Sequence, residues 1–101
     1  MKINILIPVY NDWKSVTKLM QNINFEIQNE NVEFSIIIVN DGSTDVVPKI
    51  DIDLNYIKSL KILNLKKNMS HQRSIAIGLR HMYENENFDY VIPMDGDGED
   101  R

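Results

Sequence analysis

Strand-length apolar runs alternate with helix-length amphipathic segments along this chain, and this alternation restricts its fold more than any other feature. Residues 2–9 and 32–39 are nearly continuous apolar runs rich in β-branched residues, as in strands buried on both faces. Residues 59–65 are less hydrophobic, which predicts a third strand nearer the sheet edge, and residues 88–94 form the fourth run. The β-α-β-(α)-β-α-β order predicts an α/β fold with a doubly wound, mainly parallel sheet.

Apolar side chains at helical spacing predict one helix after the first strand and another before the fourth. The stripe of the first helix comprises Val16, Leu19, Met20, Ile23 and Ile27. Asn11 or Asp12 is predicted to cap this helix, and Trp13 to pack it onto the sheet. The second helix is predicted to follow a cap at Ser70, with a buried face of Ile75, Leu79 and Met82 flanked by Ala76 and Tyr83. Residues 46–54 indicate a short helix.

Composition narrows the function classes. The 101 residues suffice for one domain and include no cysteine, which excludes disulfides, thiolate catalysis and cysteine-bound zinc. The net charge of −4 and the pI near 5.0 argue against nucleic acid as a partner. No apolar run approaches the roughly 20 residues that cross a bilayer, and Tyr10 to Asp12 interrupt the first run without a signal-peptide cleavage site. We therefore expect a cytoplasmic protein.

Polar residues collect where the predicted strands end. The first strand leads into Tyr10, Asn11 and Asp12, the second into residues 40–43, and the fourth into residues 95–100. The loop before the second helix adds Asn68, His71 and Arg73. Because ligands of open parallel sheets bind beyond the carboxyl ends of the strands, we expect these segments to form one binding edge.

The acidic segment after the fourth strand carries the strongest local signal. Asp95 and Asp97 are separated by one glycine, so both carboxylates can face one hard cation, and oxygen ligands of this kind suit Mg²⁺ or Mn²⁺. An isolated pair of this kind is more often a solvated acidic loop, but its position at the end of a buried strand favours the metal site. An EF-hand loop is excluded, because Asp100 occupies the position of the turn glycine and no helix precedes the loop.

Several single residues have both a functional and a structural interpretation. Asp41 could accept hydrogen bonds from a base or ribose, or simply belong to the turn before Gly42. Tyr10 could stack on a base or be half-buried at a strand end. Arg73 could neutralise a diphosphate or be an exposed arginine of the first helical turn, and His71 is a weak candidate for any role. These alternatives stay open from the residues alone.

Four segments, taken in order and spacing, resemble the nucleotide-sugar-binding half of family 2 glycosyltransferases with the GT-A fold. They are ILIPVYND at 5–12, IIVNDGSTD at 37–45, NMSHQRSIAIGL at 68–79 and VIPMDGDGED at 91–100. The subgroup that they resemble is the dolichol-phosphate-mannose-synthase-like branch. The resemblance implies a Rossmann-like, doubly wound sheet and a glycosyltransferase that uses a UDP- or GDP-sugar.

The resemblance also assigns roles to residues. It implies that the nucleoside and its sugar are held by Pro8, Val9, Tyr10, Asn11, Asp12 and Asp41. Asp95 and Asp97 would form the D-x-D pair that binds Mg²⁺ or Mn²⁺ at the donor diphosphate, and Arg73 would help to neutralise that diphosphate. The chain departs from the family at Ser70, where a glycine is common, and at Asn40, where an aspartate is common; of the two turn residues, we expect Asp41 to contact the base.

The resemblance implies a longer enzyme. Residues 1–101 correspond to the donor-binding part, apparently truncated after the D-x-D motif, so the general base of an inverting transfer is expected beyond Arg101. The acceptor is unknown, with lipid-linked and polysaccharide acceptors both left open, as is peripheral membrane contact of a longer parent. We expect the truncated chain to self-associate. The alternative from another class is a non-catalytic nucleotide-binding or assembly module.

Overall fold

The computed structural model describes residues 1–44 and 54–94, with His71 described in its backbone only. Four strands and two helices follow one another along the chain. They are β1 (Lys2–Val9), α1 (Trp13–Glu26), β2 (Glu33–Asn40), β3 (Ile57–Asn64), α2 (His71–Asn85) and β4 (Tyr90–Pro93).

The four strands form one parallel sheet in the order β3-β2-β1-β4. The chain first moves outward from β1 to β3 and then returns to the other side of β1, where β4 pairs from Ile3↔Tyr90 to Leu6↔Pro93. The strand order therefore reverses between β1 and β4, which is where open α/β sheets have their ligand crevice. Pro93 is tolerated because β4 is an edge strand.

Each helix covers a different face of the sheet, so the predicted doubly wound α/β fold is confirmed. On one face, α1 packs through Trp13, Val16 and Met20 against alternate residues of β1 and β2. On the other face, Met82 of α2 packs with Leu6 and with Ile37 and Val39, which are the intervening residues of the same strands. The central strands are therefore buried on both faces, as their continuous apolar runs predict.

The backbone of α2 lies close to the sheet because its inner face carries small residues. Ser74 and Gly78 are buried there, one turn apart. A Cβ atom on Gly78 would lie 2.6 Å from Leu6 Cδ1 and 2.8 Å from Val39 Cγ2. Of the predicted apolar face, Met82 is fully buried and Ile75 and Leu79 are half-buried. Ala76 and Tyr83, predicted to lie beside this face, are both exposed, although the Tyr83 ring contacts Phe88 at the edge of the core.

The predicted strand boundaries shift by one to two residues. The second strand is one residue later than predicted, the third begins two residues earlier, and the fourth is shortened to Tyr90–Pro93. Phe88 of the predicted fourth strand instead packs with the α2 face of the core. As predicted, β3 lies at the sheet edge, and Trp13, the first residue of α1, is buried between this helix and the sheet.

Neither helix is capped by a side chain, contrary to the sequence prediction. Asp12 and Ser70 occupy the N-cap positions, but neither side chain accepts a hydrogen bond from its helix. The carbonyl of Asp12 accepts from the Val16 amide at 3.2 Å, and that of Ser70 from the Ser74 amide at 3.0 Å. Ser70 has a φ of 79°, so the chain enters α2 through a left-handed backbone conformation and not through a side-chain cap. The predicted helix at 46–54 lies, apart from Leu54, outside the described residues.

Candidate functional site

Three polar loops meet at the carboxyl edge of the sheet. Because all four strands are parallel, the segments after Val9, Asn40 and Asn64 leave the sheet on the same side. Both α1 and α2 begin on that side. The predicted convergence of residues 8–12, 40–43 and the loop around Asn68 is borne out by hydrogen bonds between these loops.

Asn40 joins the ends of two strands to the turn that follows. Its Oδ1 accepts from the Ser43 amide at 3.2 Å, and its Nδ2 donates to Asn64 Oδ1 at 2.9 Å. Its carbonyl also accepts from the Gly42 and Leu65 amides, both at 2.9 Å. The amide of asparagine can form both of these side-chain hydrogen bonds, because it carries an acceptor and a donor. An aspartate could accept from the Ser43 amide but could not donate to an oxygen of Asn64.

Asp41 is a buried carboxylate, with only 3% of its surface exposed. Its Oδ1 accepts from the Met69 amide at 2.6 Å, its carbonyl accepts from Asn68 Nδ2 at 3.3 Å, and its amide donates to the Val9 carbonyl at 2.8 Å. Asp41 therefore links the end of β1 to the loop before α2. Oδ1 of Asp41 therefore has a hydrogen-bond partner within the protein, and none of these contacts involves Oδ2.

Gly42 allows these two loops to touch. It has a φ of 67°, a region that residues with a Cβ rarely adopt. A Cβ at this position would overlap Asn68 N and Lys67 C, which are backbone atoms and cannot rotate away. The glycine of this N-D-G-S turn is thus required both by its own conformation and by the close approach of residues 67–68.

The loop after β1 is tied to the same turn. The Asn11 amide donates to Ser43 Oγ, and Asn11 Nδ2 donates to Thr44 Oγ1, both at 2.9 Å. Asn11 has a φ of 62°, which asparagine tolerates better than most residues. Asn11 is therefore placed at the edge as predicted, and its described contacts are to the protein's own turn.

The other predicted nucleoside residues differ in accessibility. Tyr10 is 46% exposed at the end of β1, and Asp12 is half-buried at the start of α1. Pro8 and Val9 are buried apolar residues, so only their backbone groups could form hydrogen bonds with a ligand. The Leu6 carbonyl bonds to Met94 on the β4 side, and strand alternation directs the carbonyl of Pro8 to that side as well, toward the point where the strand order reverses.

Arg73 lies exposed in the first turn of α2, on the same edge. No hydrogen bond or ion pair joins its side chain to residues 1–44 or 54–94. The side chain of His71 is outside the described part, so its weak candidacy stays a prediction. The sequence analysis did not single out Met69, whose amide bonds Asp41, or Asn64, whose side chain accepts from Asn40. A backbone amide and an asparagine at a strand end have no distinctive sequence pattern.

The predicted metal ligands, Asp95 and Asp97, lie outside the described residues. Within residues 1–44 and 54–94, no three His, Cys, Asp or Glu residues are grouped so that they could hold a metal. Over the same residues, no helix combines the length and hydrophobicity that crossing a membrane requires. The last described residue before the acidic segment is Met94, whose amide donates to the Leu6 carbonyl at 2.8 Å.

Several known proteins are similar to this chain in sequence and fold. The family model described as glycosyl transferase family 2 matches residues 4–101. An uncharacterized glycosyltransferase of Synechocystis sp. is 30% identical over 100 residues, which are 98% of this chain and 30% of that protein. The crystal structure of S. aureus TarS superimposes with a TM-score of 0.71 at 25% identity, over 96% of this chain and 17% of that one. S. aureus TarS 1-349 gives the same TM-score and identity, over 28% of its length.

These relatives are all much longer, since the chain spans less than a third of each. The parallel four-stranded sheet with flanking helices is that of a GT-A-type glycosyltransferase such as TarS. The match to the family model extends over every residue after Ile3 and includes both loops that Asp41 joins. The chain therefore belongs to glycosyl transferase family 2.

Proposed function

We propose that the carboxyl edge of this sheet binds a nucleotide-diphospho-sugar and that the protein transfers its sugar to an acceptor. The observation that carries this proposal is the bond from the Met69 amide to the buried Asp41 carboxylate at 2.6 Å. It fixes the loops after β2 and β3 to each other, and the bonds from the Asp41 amide to the Val9 carbonyl and from the Asn11 amide to Ser43 Oγ add the end of β1. These loops lie at the carboxyl edge, beside the point where the strand order reverses. A rigid polar edge of this kind pre-organises a ligand site.

The nucleoside is proposed to bind between Tyr10 and Asp41. The exposed ring of Tyr10 offers a stacking surface. Asp41 has a second carboxylate oxygen that can accept from a base or ribose, while Asn40 is engaged on both ends of its amide. Pro8 and Val9 can take part only through backbone groups, and Asn11 and Asp12 shape the loop beside them. UDP and GDP are both candidates for the nucleotide.

We assign the divalent metal, Mg²⁺ or Mn²⁺, to Asp95 and Asp97. Two carboxylates separated by one residue are oxygen donors of the type that both ions prefer, and members of the family commonly use a divalent metal. When bound, the metal would offset charge on the departing nucleoside diphosphate. Arg73, which is exposed and on the same edge, would place a second positive charge at the diphosphate.

The finer features are proposals that rest on the resemblance described above. We propose an inverting transfer whose general base is expected beyond Arg101, since Glu99 and Asp100 lie too close in sequence to the metal pair. A lipid-linked acceptor and a polysaccharide are the two acceptor classes, and the dolichol-phosphate-mannose-synthase-like branch favours the first. We propose a cytoplasmic location, with any membrane contact peripheral.

Calorimetric titration of UDP and GDP into the 101-residue chain, with and without Mn²⁺, tests the donor site. We expect metal-dependent binding of one nucleotide, weakened at least about tenfold in Asp95→Asn and Asp97→Asn, because each variant removes one negative ligand from the metal. Asp89→Asn is the matched control, since Asp89 lies at the other end of β4 and bonds the Lys2 amide. Equal affinity in all three variants would exclude the metal assignment.

The alternative is a module that binds a nucleotide without catalysis. It needs only the polar loops at the carboxyl edge, which the bonds of Asp41 and Asn11 hold together. The two functions differ in one measurement: release of nucleoside diphosphate from UDP- or GDP-sugar by a chain extended to the length of its relatives. Tight, metal-dependent binding without turnover over a panel of acceptors would support the module.

We also propose that the 101-residue chain self-associates through β4. Within residues 1–44 and 54–94, β4 pairs with β1 on one side only, and it exposes 60% of Tyr90 and 38% of Ile92. A free strand edge next to apolar side chains favours pairing with another chain. Light scattering should show a concentration-dependent mass that Ile92→Lys reduces to the monomer. Phe25→Lys, which changes an exposed residue of α1, should leave association intact. A monomer at all concentrations would contradict the proposal.

A further inference from the structure

A row of three small polar side chains crosses the sheet near its amino edge. Asn4 of β1 pairs in register with Ser35 of β2, which pairs with Ser59 of β3. Neighbouring strands lie about 4.8 Å apart, so the three side chains stand side by side. They project from the face on which α2 packs, since Leu6 and Ile37, two residues further along β1 and β2, contact that helix. We call Asn4, Ser35 and Ser59 the polar row.

The polar row forms the floor of a pocket. On this face the carboxyl half of the sheet is apolar and covered by α2, whereas the amino half is polar and open. The pocket has a volume of about 410 Å³ and is bounded by the end of α2. Besides the polar row, its lining residues are Lys2, Glu33, Lys58, Lys61, Asn85, Glu86 and Asn87.

Asn4 supplies a buried hydrogen-bond donor to this floor. Only 4% of its surface is exposed, and its Nδ2 has no hydrogen-bond partner among residues 1–44 and 54–94. A buried donor without a partner costs about 1–3 kcal/mol, so such groups are rare in folded proteins. An apolar residue would pack at this central-strand position without that cost. The amide is therefore best explained by something that it binds.

Three side chains of the pocket lining, those of Lys61, Glu86 and Asn85, already have hydrogen-bond partners. Glu86 Oε2 pairs with Lys61 Nζ at 2.6 Å. In the last turn of α2, the His81 carbonyl accepts from Asn85 Nδ2 at 3.0 Å and the Met82 carbonyl from the Glu86 amide at 2.8 Å. On the floor, Asn4 Nδ2 has no partner within residues 1–44 and 54–94, and no side-chain hydrogen bond joins Ser35 or Ser59 to those residues.

The charges at the mouth favour a negative ligand. Lys2 and Lys58 are exposed there and carry two positive charges, against the single exposed carboxylate of Glu33. The pair of Lys61 and Glu86 is neutral as a unit. A ligand that brings several acceptor oxygens and a negative charge would satisfy the donors of the floor and the lysines of the mouth together.

We propose that this pocket binds a small oxyanion, a phosphate group or a carboxylate, through the polar row and Lys58. The pocket lies at the amino edge of the sheet, opposite the loops joined by Asp41, so the proposal does not depend on the proposed donor site. The two possible ligand groups share the same chemistry and differ in charge and in number of oxygens.

Titration of the ¹⁵N-labelled chain with inorganic phosphate, and separately with acetate, tests the proposal at constant ionic strength set with chloride. We expect saturable shifts of the Asn4 side-chain amide signals, and about tenfold weaker binding in Lys58→Gln, which removes one charged hydrogen bond. Lys14→Gln is the matched control, because Lys14 is an exposed lysine on α1 and should leave the affinity unchanged. The stronger of the two anions identifies the ligand group.

A second variant keeps the test decisive if Lys58→Gln, which changes β3, impairs folding. Ser35→Ala removes one hydroxyl from the floor without adding volume, and we expect it to weaken anion binding severalfold in a folded chain. Two results would overturn the proposal. One is the absence of saturable Asn4 shifts with either anion, and the other is equal weakening by Lys58→Gln and Lys14→Gln, which would indicate non-specific attraction to surface charge.

Discussion

Replacing Gly42 with alanine should destabilise the protein by about 3 kcal/mol or more. The backbone at this position has a φ of 67°, which costs a residue with a Cβ about 1 kcal/mol or more. The added Cβ would also overlap backbone atoms of Lys67 and Asn68, so the turn and the loop before α2 must separate. For a chain of this size we expect a fall in Tm of more than about 12 °C.

Gly78→Ala is the matched control for this prediction. Its added Cβ would meet side-chain methyl groups and no backbone atoms, at 2.6 Å from Leu6 Cδ1 and 2.8 Å from Val39 Cγ2, and methyl groups can shift more readily than backbone. Alanine is also favoured over glycine by about 1 kcal/mol within a helix, which offsets part of the strain. Thermal unfolding followed by circular dichroism should therefore show a clearly smaller loss for Gly78→Ala. The reverse order would mean that the two loops do not approach each other as described.

Changes at Asp41 should separate its structural role from its proposed role in binding. Asp41→Ala leaves the Met69 amide without its acceptor in a buried place, and we expect a loss of about 2 kcal/mol in the free energy of unfolding. Asp41→Asn keeps an oxygen that can accept from Met69, so its stability should fall by less than about 1 kcal/mol. It replaces the other oxygen by a donor, which would oppose an N–H or O–H group of the nucleotide.

We therefore expect Asp41→Asn to have nearly unchanged stability and a nucleotide affinity reduced about tenfold to a hundredfold. This reduction corresponds to the loss of one hydrogen bond to a charged group. Denaturant unfolding and calorimetric titration of the same samples give both quantities. If Asp41→Asn binds nucleotide as the unchanged chain does, Asp41 has only a structural role. The Asp89→Asn chain serves again as the control for loss of one surface charge.

The fold could be predicted from the sequence because burial leaves a strong pattern. The continuous apolar runs of β1 and β2 require cover on both faces, and the stripe through Val16 and Met20 supplies it on one. The ends of the strands were predicted less accurately than the strands themselves. For example, Ile57 begins β3 next to a register irregularity at Phe34 and Ser35, and the hydrophobic periodicity of the sequence does not indicate such an irregularity. The exposure of Tyr83 was not predicted, because its spacing from Leu79 and Met82 fits a position beside the apolar stripe of α2 as well as a position on its exposed face.

The candidate site was predictable in its location and less so in its contacts. Parallel strands bring residues 8–12 and 40–43 to one edge by topology alone, so their polar composition was sufficient. The contact between Asp41 and the Met69 amide depends on a loop conformation in which Ser70 adopts a positive φ, which serine rarely does. The polar row was not recognised because Asn4, Ser35 and Ser59 belong to three separate runs and become neighbours only through register.

The strand order also dictates a sequence of folding events. β1, β2 and β3 pair with neighbours in chain order, whereas β4 must close a long loop to reach β1, as in the bond from the Lys2 amide to Asp89, 87 residues away. Loop closure of this length is entropically costly, so the pairing with β4 is expected to form after the other three strands have assembled. We therefore expect one wall of the crevice between β1 and β4 to form last and to open first, and we expect a ligand that bridges these strands to slow that opening.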